Sequence, residues 1–463
     1  MDTTSVTLTY GAQALELSVP DSFLAGPVIR PEALPPMDEA EILDAMRAAL
    51  ATPVGRPPLR SMVAGKRVAV VVSDEFRAGQ QERIIRVLCE ELAAGGPAHV
   101  TFLCATGTHE PKVYAMGIGA MVSRAAEATG LEVDFVAHSC DDPALVDVGS
   151  SPMGTPVHIE PAYLQAQVRV YGHESKHHYM NGYSVIDKQV VPGICARATV
   201  AANHKRSLSP DSGPGRNPWH TVPSRQVNPF SQDSQAVRRM VERIALDTDG
   251  QLVERQVETF GLDMISDKSS IYWVAAGDPD FLCAQAVVKA DEQAQFTVAR
   301  TRYVMISPGG PPASQAMYGV QNCFDMAMLG AIQHGGEVLV CAPCEGRPDL
   351  PPEVRGFATS PKSLELFWNN LVRLRHEPLD EAYRWIDENF QLYLWKTWRV
   401  LRNFGHDKLT IHVHSQLPPQ ALADAGFVPV ADPQAWIDER AARGDGQLRV
   451  IDNGNKLLVL GQD

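Results

Sequence analysis

One stretch decides the fold: RVAVVVSDEFRAGQQERIIRVLCEEL, residues 67–92. Residues 68–72 form a continuous apolar run rich in valine, which is typical of a strand buried on both faces of a sheet. A polar segment follows at 73–77, and the apolar residues of 84–92 then return with the spacing of a helix face. A strand, a polar loop and a helix in this order indicate an α/β fold with a parallel sheet.

The same pattern recurs along the chain. A β-hairpin is predicted at 6–19, a helix at 38–51, and further strands at 100–104, 133–136, 303–307, 338–341 and 409–414. We therefore predict two α/β domains, 1–272 and 273–463, each with a mostly parallel sheet flanked by helices. The active site is expected in the interdomain cleft, and the last strand is allowed to return to the N-terminal domain.

Composition excludes several classes of protein. The 463 residues are 44% apolar and 21% charged, as in soluble globular proteins. The net charge of −14 argues against a non-specific nucleic-acid binder, which needs a positive surface. The first residues lack the order of a signal peptide, and no apolar run is long enough to span a bilayer. Because the eight cysteines are scattered, we expect no disulfide framework but a soluble, reduced, cytoplasmic protein.

Ionisable residues follow several of the predicted strands. Asp74 comes directly after the strand 68–72, and His109 comes after the strand 100–104. The apolar stretch 168–171 leads into a histidine-rich segment, 172–178. Since ligands of open α/β sheets bind beyond the carboxyl ends of the strands, these residues predict a site at that edge.

Residues 173–177 read His-Glu-Ser-Lys-His, which matches the H-E-x-x-H pattern of zinc hydrolases. In that pattern two histidines one helical turn apart, here His173 and His177, bind zinc, and the glutamate, here Glu174, acts as a base. The geometry requires a helix, whereas a strand and Gly172 precede the motif. A zinc-dependent hydrolase is kept as an alternative function.

A longer constellation begins at the end of this segment. His178 is followed ten residues later by Lys188, then by Val-Pro-Gly-Ile at 191–194 and Ala-Asn-His at 202–204. Other motifs occur in a fixed order around it: Asp-x-x-Arg at 74–77, Ala-Thr-Gly-Thr-His at 105–109 and Ser-Pro-Gly-Gly at 307–310. Taken together, and over essentially the whole chain, these motifs resemble the nickel-dependent lactate racemase family.

The resemblance implies a nickel-pincer nucleotide as cofactor, that is, pyridinium-3-thioamide-5-thiocarboxylic acid mononucleotide with nickel. By this likeness Lys188 carries the cofactor covalently, and His204 is the protein's ligand to nickel. Asp74 and Arg77 are expected to line the cofactor and substrate site. A single imidazole suits a nickel ion whose other donors belong to the cofactor, so no cluster of histidine ligands is required.

The resemblance also implies the reaction, which is racemisation or epimerisation of a 2-hydroxy acid by hydride transfer to the cofactor through a 2-keto acid. His109 and His178 are then the paired acid and base on the two faces of the substrate, a role that suits the near-neutral pKa of histidine. Tyr318 and Trp395 fall where the family has aromatic residues of the substrate pocket. Cofactor-synthesis proteins are expected as transient partners, and a homo-oligomer is left open. A relative that binds the cofactor without turnover is the other alternative.

Three departures from the family pattern bear on the substrate. The usual Gly-Gly-Arg before the cofactor lysine reads Val-Ile-Asp at 185–187, and a proline is replaced by Ala78. Gly319 and Asn322 stand where a glutamine and a lysine commonly hold the substrate carboxylate, which leaves Arg77 as the expected anchor. We therefore expect a larger or differently held 2-hydroxy acid, such as a sugar acid, rather than lactate.

Overall fold

The structure, a computed structural model, describes residues 2–75 and 79–462 and divides into two units. The central unit is Ala33–Glu292, and the terminal unit combines Met1–Glu32 with Gln293–Asp463. This division differs from the predicted one at 272. Residues 271–277 remain in the central unit because they form a strand of its sheet, and the first 32 residues pack with the C-terminal part of the chain.

Strands are present at the positions predicted for both domains. They are β1 Thr3–Tyr10, β2 Gln13–Pro20, β3 Arg67–Ser73, β4 His99–Ala105, β5 Asp134–Ala137, β6 Val146–Ser150, β7 Pro156–Ile159, β8 Val168–Glu174, β9 Lys176–His178, β10 Gly182–Ser184, β11 Ile244–Leu246, β12 Leu252–Glu254, β13 Glu258–Ser266, β14 Ile271–Gly277, β15 Gln295–Ala299, β16 Thr301–Ile306, β17 Ile332–Cys341, β18 Thr410–His414, β19 Val428–Pro429, β20 Leu448–Ile451 and β21 Leu458–Gln462.

The helices alternate with these strands. They are α1 Glu39–Ala51, α2 Leu59–Met62, α3 Gln81–Gly95, α4 Pro111–Tyr114, α5 Met116–Thr129, α6 Pro161–Gln165, α7 Asp187–Val190, α8 Arg197–Lys205, α9 Pro229–Val241, α10 Pro279–Ala294, α11 Met317–Val320, α12 Leu329–Ala331, α13 Pro361–Ser363, α14 Asn370–Leu374, α15 Leu379–Glu388, α16 Leu394–Gly405, α17 Pro419–Asp424 and α18 Pro433–Arg443. The helical region that follows β16 is interrupted, because π-helical turns at Phe324–Met328 separate α11 from α12.

The central unit contains a six-stranded sheet in the order β14-β13-β8-β3-β4-β5. All neighbouring strands in it run parallel except β14, which is antiparallel to β13. The valine-rich run of β3 is buried, and Val70 shares a core with Phe102 of β4 and with Ile84 and Leu88 of α3. The predicted α/β class with helix-flanked parallel sheets is confirmed.

The terminal unit contains a five-stranded parallel sheet in the order β19-β18-β17-β16-β20. The hairpin β1–β2 packs against this sheet, since Val6 and Leu8 share a core with Tyr303, Met305 and Leu448. The first strands therefore complete the core of the terminal unit. Among the described residues no helix is both long and apolar enough to cross a membrane.

A buried carboxyl group lies beside the carboxyl end of β8. Asp263 of β13 is fully buried, and its side chain accepts hydrogen bonds from Ser175 Oγ at 2.6 Å and from the backbone N–H of Met264 at 2.8 Å. Burial raises the pKa of Asp263 from 3.8 to about 7, because the apolar surroundings disfavour the charged form. Between these two values the folded chain binds one proton more than the unfolded chain does. The stabilisation from the neutral carboxyl is therefore complete below pH 3.8 and is lost as the pH rises through about 7.

We expect the Asp263→Asn variant to lose less stability than the wild type when the pH is raised from 5 to 8, because its amide stays neutral. The free energy of unfolding, measured with urea at both pH values, provides the test. Asp249→Asn, at an exposed turn position, is the matched control and should keep the wild-type pH dependence. Equal pH dependence in Asp263→Asn and the wild type would show that Asp263 is ionised in the fold.

Candidate active site

Three of the predicted site residues, Asp74, His109 and His178, follow neighbouring strands of the central sheet. Asp74 follows β3, His109 follows β4, and His178 belongs to β9, which comes directly after β8. The strands β8, β3 and β4 are parallel neighbours. Their carboxyl ends therefore meet at the same edge, as the sequence predicted.

Buried Asp74 and half-buried His109 form a hydrogen-bonded pair. His109 Nδ1 lies 2.5 Å from Asp74 Oδ2, where the side chain of Asp74 is 1% exposed and that of His109 is 34% exposed. Because a carboxylate can only accept, Nδ1 carries the proton and Nε2 is left as the basic atom of the neutral ring. The second oxygen, Asp74 Oδ1, is buried and accepts no hydrogen bond from the part of the chain that the structure describes. Arg77, predicted beside Asp74, lies outside the described residues.

His178 has the opposite tautomer. It lies on the hairpin β9–β10, where its Nδ1 accepts hydrogen bonds from the backbone N–H groups of Met180 at 3.3 Å and Asn181 at 3.1 Å. The proton of the neutral ring is therefore on Nε2. Neutral His109 thus has a basic Nε2, whereas neutral His178 has an Nε2–H that can donate.

A partly buried carboxylate holds the hairpin that carries His178. Asp291 of α10 accepts hydrogen bonds from His177 Nε2 at 2.9 Å, Tyr183 OH at 2.6 Å and His220 Nε2 at 3.1 Å. It also pairs with Arg225 at 2.8 Å. Burial alone would raise the pKa of Asp291, but these donors hold it well below its usual value. His177, the next residue to His178, therefore fixes the hairpin in place.

The H-E-x-x-H segment does not form a zinc site. His173 and Glu174 lie on the strand β8 and His177 lies on the strand β9, so the helix that zinc binding requires is absent there. Glu174 accepts hydrogen bonds from the backbone N–H of Gln80 at 2.9 Å and from Ser266 Oγ at 2.8 Å. Within residues 2–75 and 79–462, no group of three histidine, cysteine or acidic side chains could hold a metal ion. The zinc-hydrolase interpretation of this motif is wrong.

Lys188 lies on α7, close to the loop that carries His109. Its side chain is buried, with 3% of the residue exposed. In the turn after α7, the backbone oxygen of Gly193 accepts a hydrogen bond from the backbone N–H of Gly107 at 2.9 Å. A Cβ at position 193 would lie 2.1 Å from the Gln189 oxygen, so this turn requires glycine. The Val-Pro-Gly-Ile motif therefore joins the lysine segment to the histidine loop.

The carboxylate of Asp187, next to Lys188, forms an ion pair with a buried arginine. Asp187 accepts hydrogen bonds from Arg238 Nε of α9 at 2.5 Å and from Trp219 Nε1 at 2.7 Å. Arg238 is fully buried and also pairs with Glu242 at 2.8 Å. Asp187 stands where the family pattern has an arginine, and its negative charge is balanced by the ion pair with Arg238.

The donor set of the central unit fits the cofactor that the sequence predicted. Lys188 offers a buried amine for a covalent link, and His204 of α8, 7% exposed, offers an imidazole against the edge of Phe230 at 4.9 Å between ring centroids. Imidazole nitrogen is a suitable nickel ligand. The buried Asp74 Oδ1 suits a hydroxyl donor such as that of a ribose.

The two predicted substrate-pocket aromatics lie together in the terminal unit. Tyr318 of α11 and Trp395 of α16 both contact Tyr393, each at 5.9 Å between ring centroids. The sequence analysis did not identify Tyr393, or the buried Lys396 beside Trp395. A lysine between the large apolar residues of 394–401 was the available signal for a buried cation.

Comparison with known proteins relates this chain to lactate racemases. Residues 10–215 match the lactate racemase N-terminal domain model. The chain is 22% identical to the lactate racemase of Thermoanaerobacterium thermosaccharolyticum over 98% of its own length and 99% of that protein. It is 25% identical to the lactate racemase of Lactiplantibacillus plantarum over 43% of its length and 47% of that protein.

Solved structures show the same fold. The lactate racemase apoprotein of T. thermosaccharolyticum has a TM-score of 0.77 at 19% identity, covering 98% of this chain and 100% of that one. A protein from Thermotoga maritima has a TM-score of 0.59 at 15% identity, covering 92% and 99%. The domain model, the relative that matches nearly end to end, and the shared fold agree with one another. Residues 10–215 are therefore similar to the lactate racemase N-terminal domain, and the chain shares the fold of the lactate racemase apoprotein along nearly its whole length.

Proposed function

We propose that this protein is an isomerase that racemises or epimerises a 2-hydroxy acid with a nickel-pincer nucleotide. The observation that carries the proposal is the pair of opposite histidine tautomers at one edge of the central sheet. His109 presents a basic Nε2 and His178 presents an Nε2–H. An isomerase that inverts C2 needs both a base and an acid, and a protein that only binds the cofactor needs neither.

Four residues of the central unit would hold the cofactor. Lys188 would link to it covalently, His204 would bind nickel, and Asp74 Oδ1 would accept a hydrogen bond from it. Arg77 belongs to the same motif as Asp74 and is assigned to this group by resemblance. The chemistry that the bound cofactor supplies is reversible acceptance of hydride from C2 of the substrate.

The histidines would handle the proton of the substrate hydroxyl. His109 Nε2 takes this proton as C2 becomes planar, and Asp74 stabilises the resulting imidazolium through Nδ1. His178 Nε2–H then donates to the oxygen of the 2-keto acid when C2 is reduced on its other face. Since the keto acid is planar at C2, delivery to either face gives either enantiomer.

By resemblance, Tyr318 and Trp395 would contact the substrate, and Arg77 would anchor its carboxylate. Gly319 and Asn322 replace the larger donors that hold lactate-like substrates in relatives. We therefore propose a substrate larger than lactate, such as a sugar acid. Racemisation of a panel of single-enantiomer 2-hydroxy acids tests this choice, and a clear preference for lactate would contradict it.

The His109→Gln and His178→Gln variants are each expected to lower kcat about 10²- to 10⁴-fold, the usual contribution of a general acid or base. The measurement is loss of optical activity from each enantiomer of the preferred acid, with enzyme produced together with the cofactor-synthesis proteins. His99→Gln is the matched control, because His99 lies at the opposite end of β4. Full activity of either site variant would remove that histidine from the mechanism.

The Lys188→Arg variant is expected to lose the covalent cofactor while it keeps the positive charge. Intact-protein mass spectrometry after the same coexpression should show added mass and about one nickel per chain in the wild type and neither in the variant. Lys205→Arg, an exposed lysine of α8, should keep the adduct. A wild-type chain without added mass under these conditions would contradict the covalent link.

The Asp291→Asn variant is expected to lower kcat about tenfold and the free energy of unfolding by about 1–3 kcal/mol, because His177, Tyr183 and Arg225 lose a charged acceptor. Racemisation and urea unfolding measure the two effects. The covalent adduct on Lys188 should be unchanged. Asp247→Asn is the control, since Asp247 caps an exposed turn. An unchanged kcat would show that this cluster supports only the fold.

A further inference from the structure

A buried lysine stands beside the predicted substrate aromatics of the terminal unit. Lys396 of α16 is 1% exposed. Its Nζ donates hydrogen bonds to the Tyr318 backbone oxygen at 2.7 Å, Asn322 Oδ1 at 2.7 Å and Gln321 Oε1 at 3.2 Å. It also lies 4.2 Å from the centre of the Tyr318 ring, a cation–π distance. The ammonium group of Lys396 thus contacts the segment 318–322, which has no cationic residue of its own.

The surrounding charges hold this lysine in one place. Gln321 Nε2 donates to Asp325 Oδ2 at 2.6 Å, and Arg399 donates to Asp325 Oδ1 at 2.9 Å. Gln321 therefore bridges the carboxylate and the ammonium group, which fixes the orientation of its amide. Burial lowers the pKa of Lys396 to about 7, an effect that Asp325 opposes and Arg399 reinforces.

Lys396 also fixes the amide of Asn322. Because Asn322 Oδ1 accepts from the ammonium group, Nδ2 with its two hydrogens is on the opposite side of the amide. Asn322 is half-buried, as is Tyr318. The lysine therefore turns an amide that could face either way into a donor of defined direction.

The backbone around Lys396 is irregular on both sides. Tyr393, immediately before α16, has φ of +88°, a conformation that bulky residues rarely adopt. The π-helical turns at Phe324–Met328 begin two residues after Asn322. Strained residues and π-helical turns are concentrated at binding and catalytic sites. These features support a ligand-binding role for the surface that Tyr318, Asn322 and Tyr393 form.

We propose that Lys396 is a specificity-determining positioning residue, which acts through Asn322 to direct an N–H donor at an oxygen of the substrate. The inference rests on the proposed function, since the ligand is the 2-hydroxy acid. The oxygen belongs either to the C1 carboxylate or to a hydroxyl group beyond C2. Both are hydrogen-bond acceptors, and a site built around a buried donor discriminates strongly against a ligand that lacks the acceptor.

The test compares KM and kcat of the cofactor-loaded enzyme for lactate and glycerate, which differ by one hydroxyl group. In Lys396→Met and in Asn322→Ala, KM is expected to rise about tenfold with kcat within about twofold, the effect of losing one hydrogen bond to substrate. A rise for both acids assigns the donor to the carboxylate, and a rise for glycerate alone assigns it to the C3 hydroxyl. The double variant should be no weaker than either single variant, because both changes remove the same contact.

Lys362→Met, an exposed lysine of α13 in the same unit, is the matched control and should leave KM unchanged. Thermal unfolding identifies any variant that fails to fold, and Asn322→Ala at its half-buried position then carries the test alone. Unchanged KM values, or additive effects in the double variant, would overturn the role of Lys396 while turnover by the wild type still supports the racemase. If the wild type converts no acid in a broad panel of 2-hydroxy acids, the proposed function fails and this inference fails with it.

Discussion

The parallel alignment of β8, β3 and β4 is the constraint on which the candidate site depends. Parallel neighbours end at the same edge, so Asp74, His109 and the hairpin of His178 follow three adjacent strands. Their apolar runs are buried on both faces, and the polar residues of the candidate site follow at the strand ends. The hydrogen bond from His109 to Asp74 then sets the tautomer of one histidine, and backbone N–H groups set that of the other.

Buried and partly buried carboxylates hold the loops of this edge in place. Asp291 gathers His177, Tyr183, His220 and Arg225, while Asp187 is paired with the fully buried Arg238. Such groups are costly to bury unless each is hydrogen-bonded, and breaking one partner leaves an uncompensated charge. These ion pairs therefore have a structural role. They fix the hairpin that carries His178 and the helix that carries Lys188.

Local pattern was sufficient for much of this structure. The valine run of β3, the strand before His109 and the helix at 84–92 follow from apolar periodicity, and short motifs located His109, His178 and Lys188. Contacts between distant parts of the chain could not be predicted from local sequence patterns. The hairpin β1–β2 completes the core of a sheet whose strand β20 begins at Leu448. Lys396 donates a hydrogen bond to Asn322, which lies 74 residues earlier in the chain. Periodicity carries no information on such pairings. A short motif such as H-E-x-x-H likewise does not show whether its backbone is helical.

A 2-hydroxy acid carrying deuterium at C2 would show whether the C2 hydrogen leaves as hydride, as we propose, or as a proton. The wild-type enzyme, loaded with cofactor, would racemise this acid in ordinary water, and mass spectrometry of the separated enantiomers would follow the label. We expect deuterium to be retained in both enantiomers, because in the proposed mechanism the histidines exchange only the hydroxyl proton. Loss of the label to solvent in the newly formed enantiomer would contradict this, since it would mean that a side chain removes the C2 hydrogen as a proton.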